Sequence, residues 1–278
     1  MPDPIPVDDL SDPRLADYAG LREAERAPDG LEKRRGVFMA EGELVARHLF
    51  NSNITVRSIL LTPPRLATLG QVIPPGIPVY VAPQSLMNAL VGFNMHRGVL
   101  ACGVRPPDTD ADAVLRHAQT LVILEGLCNL DNVGGVFRSA GALCRRPGVL
   151  LDPTCCDPLY RKAIRVSMGR TLMIPFARGA PWPGVLARVR EAGFTIVAFT
   201  PRANAVPIDR IDPAAHARLA LMIGTEGEGL SPGAAAAADI AVRIPIAPGV
   251  DSLNAHVAAS IALHRLGRLG EPGAPEPG

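Results

Sequence analysis

Residues 121–140 read LVILEGLCNLDNVGGVFRSA, and they decide the fold. The run 121–124 is continuously apolar, as a strand buried on both faces of a parallel sheet must be. Behind it, Asn129, Asp131 and Asn132 supply turn chemistry, and Gly134 and Gly135 would permit a tight turn into a helix carrying Arg138. Taken alone, the segment reads as a turn with an asparagine cap and a solvated arginine. Taken with its place after a strand, it presents a polar amide and a cation at the carboxyl end of a sheet, where open α/β proteins bind ligands.

The same alternation extends downstream. Apolar runs at 149–151, 194–199, 219–223 and 240–244 are separated by helical patterns. The last pattern, 252–269, spaces Leu253, Val257, Ile261, His264 and Leu266 near a period of 3.6. A parallel sheet covered by helices on both faces is expected. Upstream, helical patterns at 13–25, 41–50 and 84–90 alternate with strand-like runs at 56–61, 78–81 and 99–104, which makes a smaller α/β domain. Between them RPPDTDAD, at 105–112, is polar, acidic and proline-bearing, so the boundary falls there. The expected organisation is 1–107, then 108–270, then a Pro- and Gly-rich tail at 271–278 with no means of packing.

A length of 278 residues suits about two domains. With 47% hydrophobic and 20% charged residues the balance is that of an ordinary globular protein. A net charge of +1 excludes inferring a nucleic-acid partner from bulk charge, so any such partner must be argued from local sites. Five cysteines without C-x-x-C spacing indicate neither a disulfide scaffold nor a zinc ribbon, and no metal is expected. The start MPDPIPVDDL lacks the basic and apolar regions of a signal peptide. The uncharged stretch 66–96 is broken by Pro74, Pro75, Pro78 and Pro83, so no membrane span and a cytoplasmic location are expected. Phosphate-loop, zincin, nucleophile-elbow and dinucleotide signatures are missing.

Two further loops follow strands of the second domain. LMIGTEGEGLSP, at 221–232, sets Glu226 among three glycines, which let a backbone approach a ligand closely; a surface turn with a solvated glutamate reads equally well in isolation. RIPIAPGVDSLNAHVAAS, at 243–260, stops a strand with Pro245 and Pro248 and sets Ser252 where the N-cap of the last helix is expected. Asn254 is less well explained by capping, since asparagine is a poor residue inside a helix.

Together and in this order, the three loops resemble the motifs of the SpoU/TrmH family of RNA ribose 2'-O-methyltransferases, within the SPOUT superfamily. Residues 132–140, NVGGVFRSA, are similar to the family's N-x-G-x-x-x-R-[TS]-A; 224–230, GTEGEGL, to G-x-E-G-x-G-L; and 244–246, IPI, with 252–259, SLNAHVAA, to I-P-M followed by S-L-N-x-S-V-A-A. Residues 36–45 and 96–100 resemble, less specifically, the substrate-binding domain that the family carries at its N-terminus. Asn129-Leu130-Asp131 departs from the usual Asp-Pro, and Ala255-His256 from the usual Val-Ser. Both departures bear on substrate preference.

The resemblance implies a trefoil-knotted domain that binds S-adenosylmethionine through Thr200, Gly224, Ile244, Ile246 and Leu253. It implies Arg138 as the catalytic residue, with Asn132, Glu226, Ser252 and Asn254 completing a polar shell in which Glu226 orients Asn132 or Arg138. A guanidinium, with a pKa above about 12, is a poor base, so Arg138 is expected to orient the ribose and stabilise the developing alkoxide. A homodimer acting on tRNA or rRNA is implied. Arg145, Arg146, Arg161, Lys162, Arg165 and Arg170 fall within 26 residues against only Asp152 and Asp157, which reads as a basic surface for the RNA or as two solvated helix faces. The alternatives are a base methyltransferase of the same superfamily, an inactive RNA-binding module, and an unrelated nucleotide-binding enzyme.

Overall fold

The computed structural model describes residues 3–21 and 36–267. The expected tail at 271–278 lies outside them, as do 22–25 of the first expected helix and 268–269 of the last. The chain divides into two compact units, Met1–Pro107 with Pro158–Met173, and Asp108–Asp157 with Ile174–Gly278.

The first unit holds a mixed sheet of β1 (Pro4–Pro6), β2 (Val37–Glu41), β3 (Val56–Leu61), β4 (Val79–Val81) and β5 (Val99–Val104), in the order β1-β4-β3-β5-β2. Strands β1, β4 and β3 run parallel, whereas β5 runs antiparallel to both β3 and β2. The expected helix at 13–25 opens instead as a 3-10 segment, Pro13–Tyr18, whose cap Asp12 accepts the Arg14 N–H. Tyr18 leaves that segment for the core, where its hydroxyl lies 2.7 Å from Ser58 Oγ.

Residues 158–173 group with this unit rather than with the sequence that surrounds them. The helix Arg161–Val166 packs on β2, and the guanidinium of buried Arg161 lies 2.6 Å from Glu41 Oε2 and 4.4 Å from the centroid of the Phe93 ring. His48 Nδ1 meets the Met168 carbonyl at 2.8 Å. Arg161 is therefore withdrawn from the basic surface expected for RNA, because its charge is committed inside the unit. Removing one partner of a buried ion pair leaves a desolvated charge behind. Glu41→Ala is expected to destabilise the unit by about 3–5 kcal/mol, read as a lowered midpoint of urea unfolding; an unchanged midpoint would show that the pair contributes nothing.

The second unit is built on seven parallel strands, β6 (Thr120–Leu124), β7 (Pro147–Leu151), β8 (Phe176–Arg178), β9 (Phe194–Phe199), β10 (Val206–Pro207), β11 (Arg218–Ile223) and β12 (Ile240–Arg243). Their order is β10-β12-β9-β11-β6-β7-β8. Because successive side chains point to opposite faces, a strand buried on both sides must be apolar throughout. Val122, Leu124, Leu219, Leu221 and Ile223 pack with the helices Leu130–Leu143 and Ala255–Leu266. Leu121, Ile123, Ala220 and Met222 pack with Ala111–His117 and Val185–Glu191 on the other face. Each such Leu or Ile contributes about 1.5–3 kcal/mol on burial.

From β6 the chain moves outward through β7 to β8, then returns to the other side and inserts β11 between β6 and β9. The strand order thus reverses at β6 and β11, the place in an open α/β sheet where ligands bind beyond the carboxyl ends of the strands. Among the described residues no helix is long and apolar enough to cross a membrane.

Candidate active site at the carboxyl ends of the parallel strands

The helix after β6 begins directly at Leu130, capped by Asn129, whose side chain accepts the Asp131 N–H at 2.8 Å. Gly134 and Gly135 therefore lie inside this helix and not in a turn before it. Gly135 serves close packing: a Cβ there would stand 2.7 Å from His256 Cδ2 on the final helix. Ser139 and Ser260 meet across the same helix pair at 2.7 Å.

Asn132 consequently sits in the first turn of the helix, buried to 4% exposure. Its Nδ2 donates to Glu226 Oε1 at 2.9 Å. Asn254 Nδ2 donates to both Asn132 Oδ1, at 3.0 Å, and Glu226 Oε1, at 2.6 Å. The Ala255 N–H reaches the same carboxylate oxygen at 3.4 Å. Three separate loops thus meet in one hydrogen-bonded cluster, in which Glu226 holds Asn132 and not Arg138.

The expectation for the final helix is corrected in one respect. Its cap is Asn254 and not Ser252: Asn254 Oδ1 accepts the N–H groups of His256 and Val257 at 3.0 and 3.3 Å. One amide serves both purposes because its oxygen faces the helix while its nitrogen faces Glu226. Ser252, released from capping, lies on the wall of an adjoining cavity.

That cavity has a volume of about 370 Å³. Thr200, Gly224, Ile244, Ile246 and Leu253 all line it, together with Glu226 and Ser252. Phe199, Thr225 and Asp251 line it as well and were not singled out from the sequence. Each adjoins a residue that was, so proximity in the chain was their one signal. Asn132, Asn254 and Arg138 do not line the cavity.

The loop 224–231 is shaped mainly by its own backbone. Thr225 bridges Gly229, whose N–H donates to the Thr225 carbonyl at 3.1 Å, and Gly227 and Gly229 adopt φ of 93° and 75°. A Cβ on Gly224 would fall 2.3 Å from the Gly229 carbonyl carbon and 2.5 Å from the Leu230 nitrogen. The close approach at Gly224 is thus made by the loop to itself, where the sequence suggested an approach to a ligand.

The segment after β6 is held from the loop that follows the neighbouring strand β7. Cys155 Sγ lies 3.3 Å from both the Leu124 carbonyl and the Leu127 nitrogen. Burial works to raise the Asp152 carboxyl, but hydrogen bonds from Cys155, Thr154 and the Gly126 N–H outweigh it and hold the group below the usual carboxylate range. Burial also pushes the Cys156 thiol up to about 12, so it is no nucleophile at neutral pH.

Arg138 stands apart. It is exposed, and its side chain makes no hydrogen bond or ion pair with a described residue. Six residues beyond Asn132, it is about 240° around the helix and about 9 Å along it. The two side chains therefore leave on different faces.

A parallel α/β unit with a polar cluster at its strand-order reversal and a cavity walled by the segments after β9, β11 and β12 has the form of a ligand-binding enzyme domain. Residues 119–264 match the SpoU rRNA Methylase family. A protein of Mycobacterium tuberculosis described as an uncharacterized tRNA/rRNA methyltransferase is 39% identical over 274 residues, which span 97% of this chain and 94% of that one. Two solved structures share the fold: an AdoMet-bound rRNA methyltransferase from Sinorhizobium meliloti and the SpoU methyltransferase AviRb from Streptomyces viridochromogenes in complex with AdoMet. The first has a TM-score of 0.77 at 23% identity and covers 95% of this chain and 97% of its own. The second has a TM-score of 0.74 at 23% identity and covers 92% and 100%. The chain belongs to the SpoU rRNA methylase family and is an RNA methyltransferase.

Proposed function

We propose that the chain transfers a methyl group from S-adenosylmethionine to a ribose 2'-hydroxyl of tRNA or rRNA, and that it does so as a homodimer. The observation that carries this reading is the cluster Asn132–Glu226–Asn254, which joins the three motif loops beside the cavity. The cavity suits the cofactor: its volume falls in the range of small-molecule sites, and its walls are apolar side chains and glycine backbone with Glu226 and Asp251 as the acidic groups. Those carboxylates suit a cationic sulfonium, while Ile244, Ile246 and Leu253 suit an apolar ring. When bound, the cofactor supplies an electrophilic methyl group.

The chain's own contribution is position and electrostatics. Thr200, Gly224, Ile244, Ile246 and Leu253 hold the adenosine part, and Asn132, Glu226, Ser252 and Asn254 form the polar shell. Arg138 orients the target ribose or its phosphate and stabilises the alkoxide as the hydroxyl passes its proton to the adjoining phosphate or to solvent. The separation of Arg138 from Asn132 along their helix supports a site completed by a second subunit. So do Val257 and Ile261, each 37% exposed and one turn apart on the final helix, beside the helix that carries Arg138. The reading carries with it the trefoil-knotted threading of this domain, and RNA selection by the first unit, which bears none of the three motifs.

The test is the product. RNA methylated by the chain should yield a 2'-O-methylnucleoside, seen as one phosphodiester that resists alkali. Recovery of a base-methylated nucleoside instead would replace the ribose reading with base methylation.

A further inference from the structure

Glu125, the first residue beyond β6, is a buried carboxylate that the reaction outlined above does not use, at 7% exposure. Its backbone N–H donates to the Ile223 carbonyl at 3.0 Å, continuing the ladder between β6 and β11. Its side chain gathers three donors. Oε1 accepts from the Trp182 indole Nε1 at 2.6 Å and from Ser231 Oγ at 2.6 Å. Oε2 accepts the Ser231 N–H at 2.8 Å. No lysine or arginine among the described residues pairs with it.

This placement ties both ends of one loop to a single residue. The loop 224–230 leaves β11 at Ile223, which Glu125 holds through its main chain, and ends at Ser231, which Glu125 holds through its side chain. Ser231 Oγ also accepts the Ala234 N–H at 3.2 Å as the cap of the short helix Pro232–Ala236, so its hydroxyl has little freedom to turn elsewhere. Between these anchors lie the Thr225–Gly229 bridge, the backbone contact of Gly224 with Gly229, and Glu226 itself. A displacement of Ser231 is transmitted through Leu230 and Gly229 to Gly224 and to the cavity wall. A buried charge met only by neutral donors is costly to desolvate, and here its three hydrogen bonds define the position of a loop.

We infer that Glu125 is a positioning residue for the loop that walls the cofactor cavity, and that Trp182, the only tryptophan of the chain, is coupled to that loop through it. The inference rests on the proposed reading of the cavity as the S-adenosylmethionine site. Its consequence is specific to the folded protein: a change at Glu125 alters cofactor affinity more than it alters turnover at saturation.

The full-length protein and two variants, Glu125→Gln and Trp182→Phe, are titrated with S-adenosylhomocysteine by calorimetry and assayed for methyl transfer at varied S-adenosylmethionine. In Glu125→Gln an amide NH2 faces a donor at one end, so affinity is expected to fall about tenfold, the scale of one lost charge-assisted hydrogen bond. KM for the cofactor should rise in step, while kcat stays within about twofold of the wild type. Trp182→Phe removes the indole donor and leaves a smaller aromatic ring in its place, and should weaken affinity about threefold. In the wild type, Trp182 emission should change as the ligand saturates. Folded Glu125→Gln with wild-type affinity and KM overturns the positioning role. If that variant does not fold, Trp182→Phe decides, and unchanged affinity overturns the role. A wild type that binds neither ligand overturns the cofactor reading and this inference together.

Discussion

Gly224→Val is expected to cost the chain its cofactor affinity by a hundredfold or more, about 2.7 kcal/mol, without unfolding the sheet beneath. The cause is internal to the loop. The new side chain would begin 2.3–2.5 Å from the backbone of Gly229 and Leu230, where no rotamer relieves the overlap. Overpacking of this kind typically costs about 1–3 kcal/mol, and here the backbone itself has to move. That movement displaces Glu226, and with it the acceptor shared by Asn132 and Asn254. Calorimetric titration with S-adenosylhomocysteine measures the loss, and circular dichroism checks that the fold persists. Wild-type affinity in this variant would show that the loop does not wall the cofactor site.

Arg138→Ala should lower the methylation rate about a hundredfold or more, the scale of losing one preorganised polar group in a transition state. Cofactor affinity should stay near wild type, since Arg138 does not line the cavity. The fold should be unaffected too, because the exposed side chain has no partner among the described residues to lose. Arg138→Lys should also be badly impaired, as a point charge cannot reproduce the planar fork of a guanidinium. Single-turnover rates on substrate RNA, set beside cofactor binding, separate the two effects. Undiminished turnover in Arg138→Ala would remove the arginine from the chemistry.

What could be read in the chain follows the position of each element in its sheet. Strands β3, β5, β6, β9 and β11, flanked on both sides, announce themselves by apolar or β-branched runs such as LVIL and FTIVAF. Among the described strands, those missed were β1, β2, β8 and β10, which end the two sheets. An edge strand has one partner and tolerates proline, so Pro4–Pro6 and Val206–Pro207 carry no strand pattern at all. The cavity-lining set was legible only through the family resemblance, whose motifs fall in the loops where strands end. The capping role of Asn254 was not, since choosing between Ser252 and Asn254 depends on where Glu226 lies, 28 residues earlier.

By itself, then, the sequence determined the parallel α/β class, the three motif loops and the family they resemble, because strand periodicity and loop chemistry are local properties. Only the tertiary structure decided that Gly135 is space for His256 and Gly224 space for Gly229. It also decided that Arg161 belongs to Glu41 and Glu125 to Ser231 and Trp182. Each of these is a contact between residues distant in the chain. Whether a glycine serves a turn or a close approach, and whether a charge meets water or a buried partner, depends on what the fold brings against it.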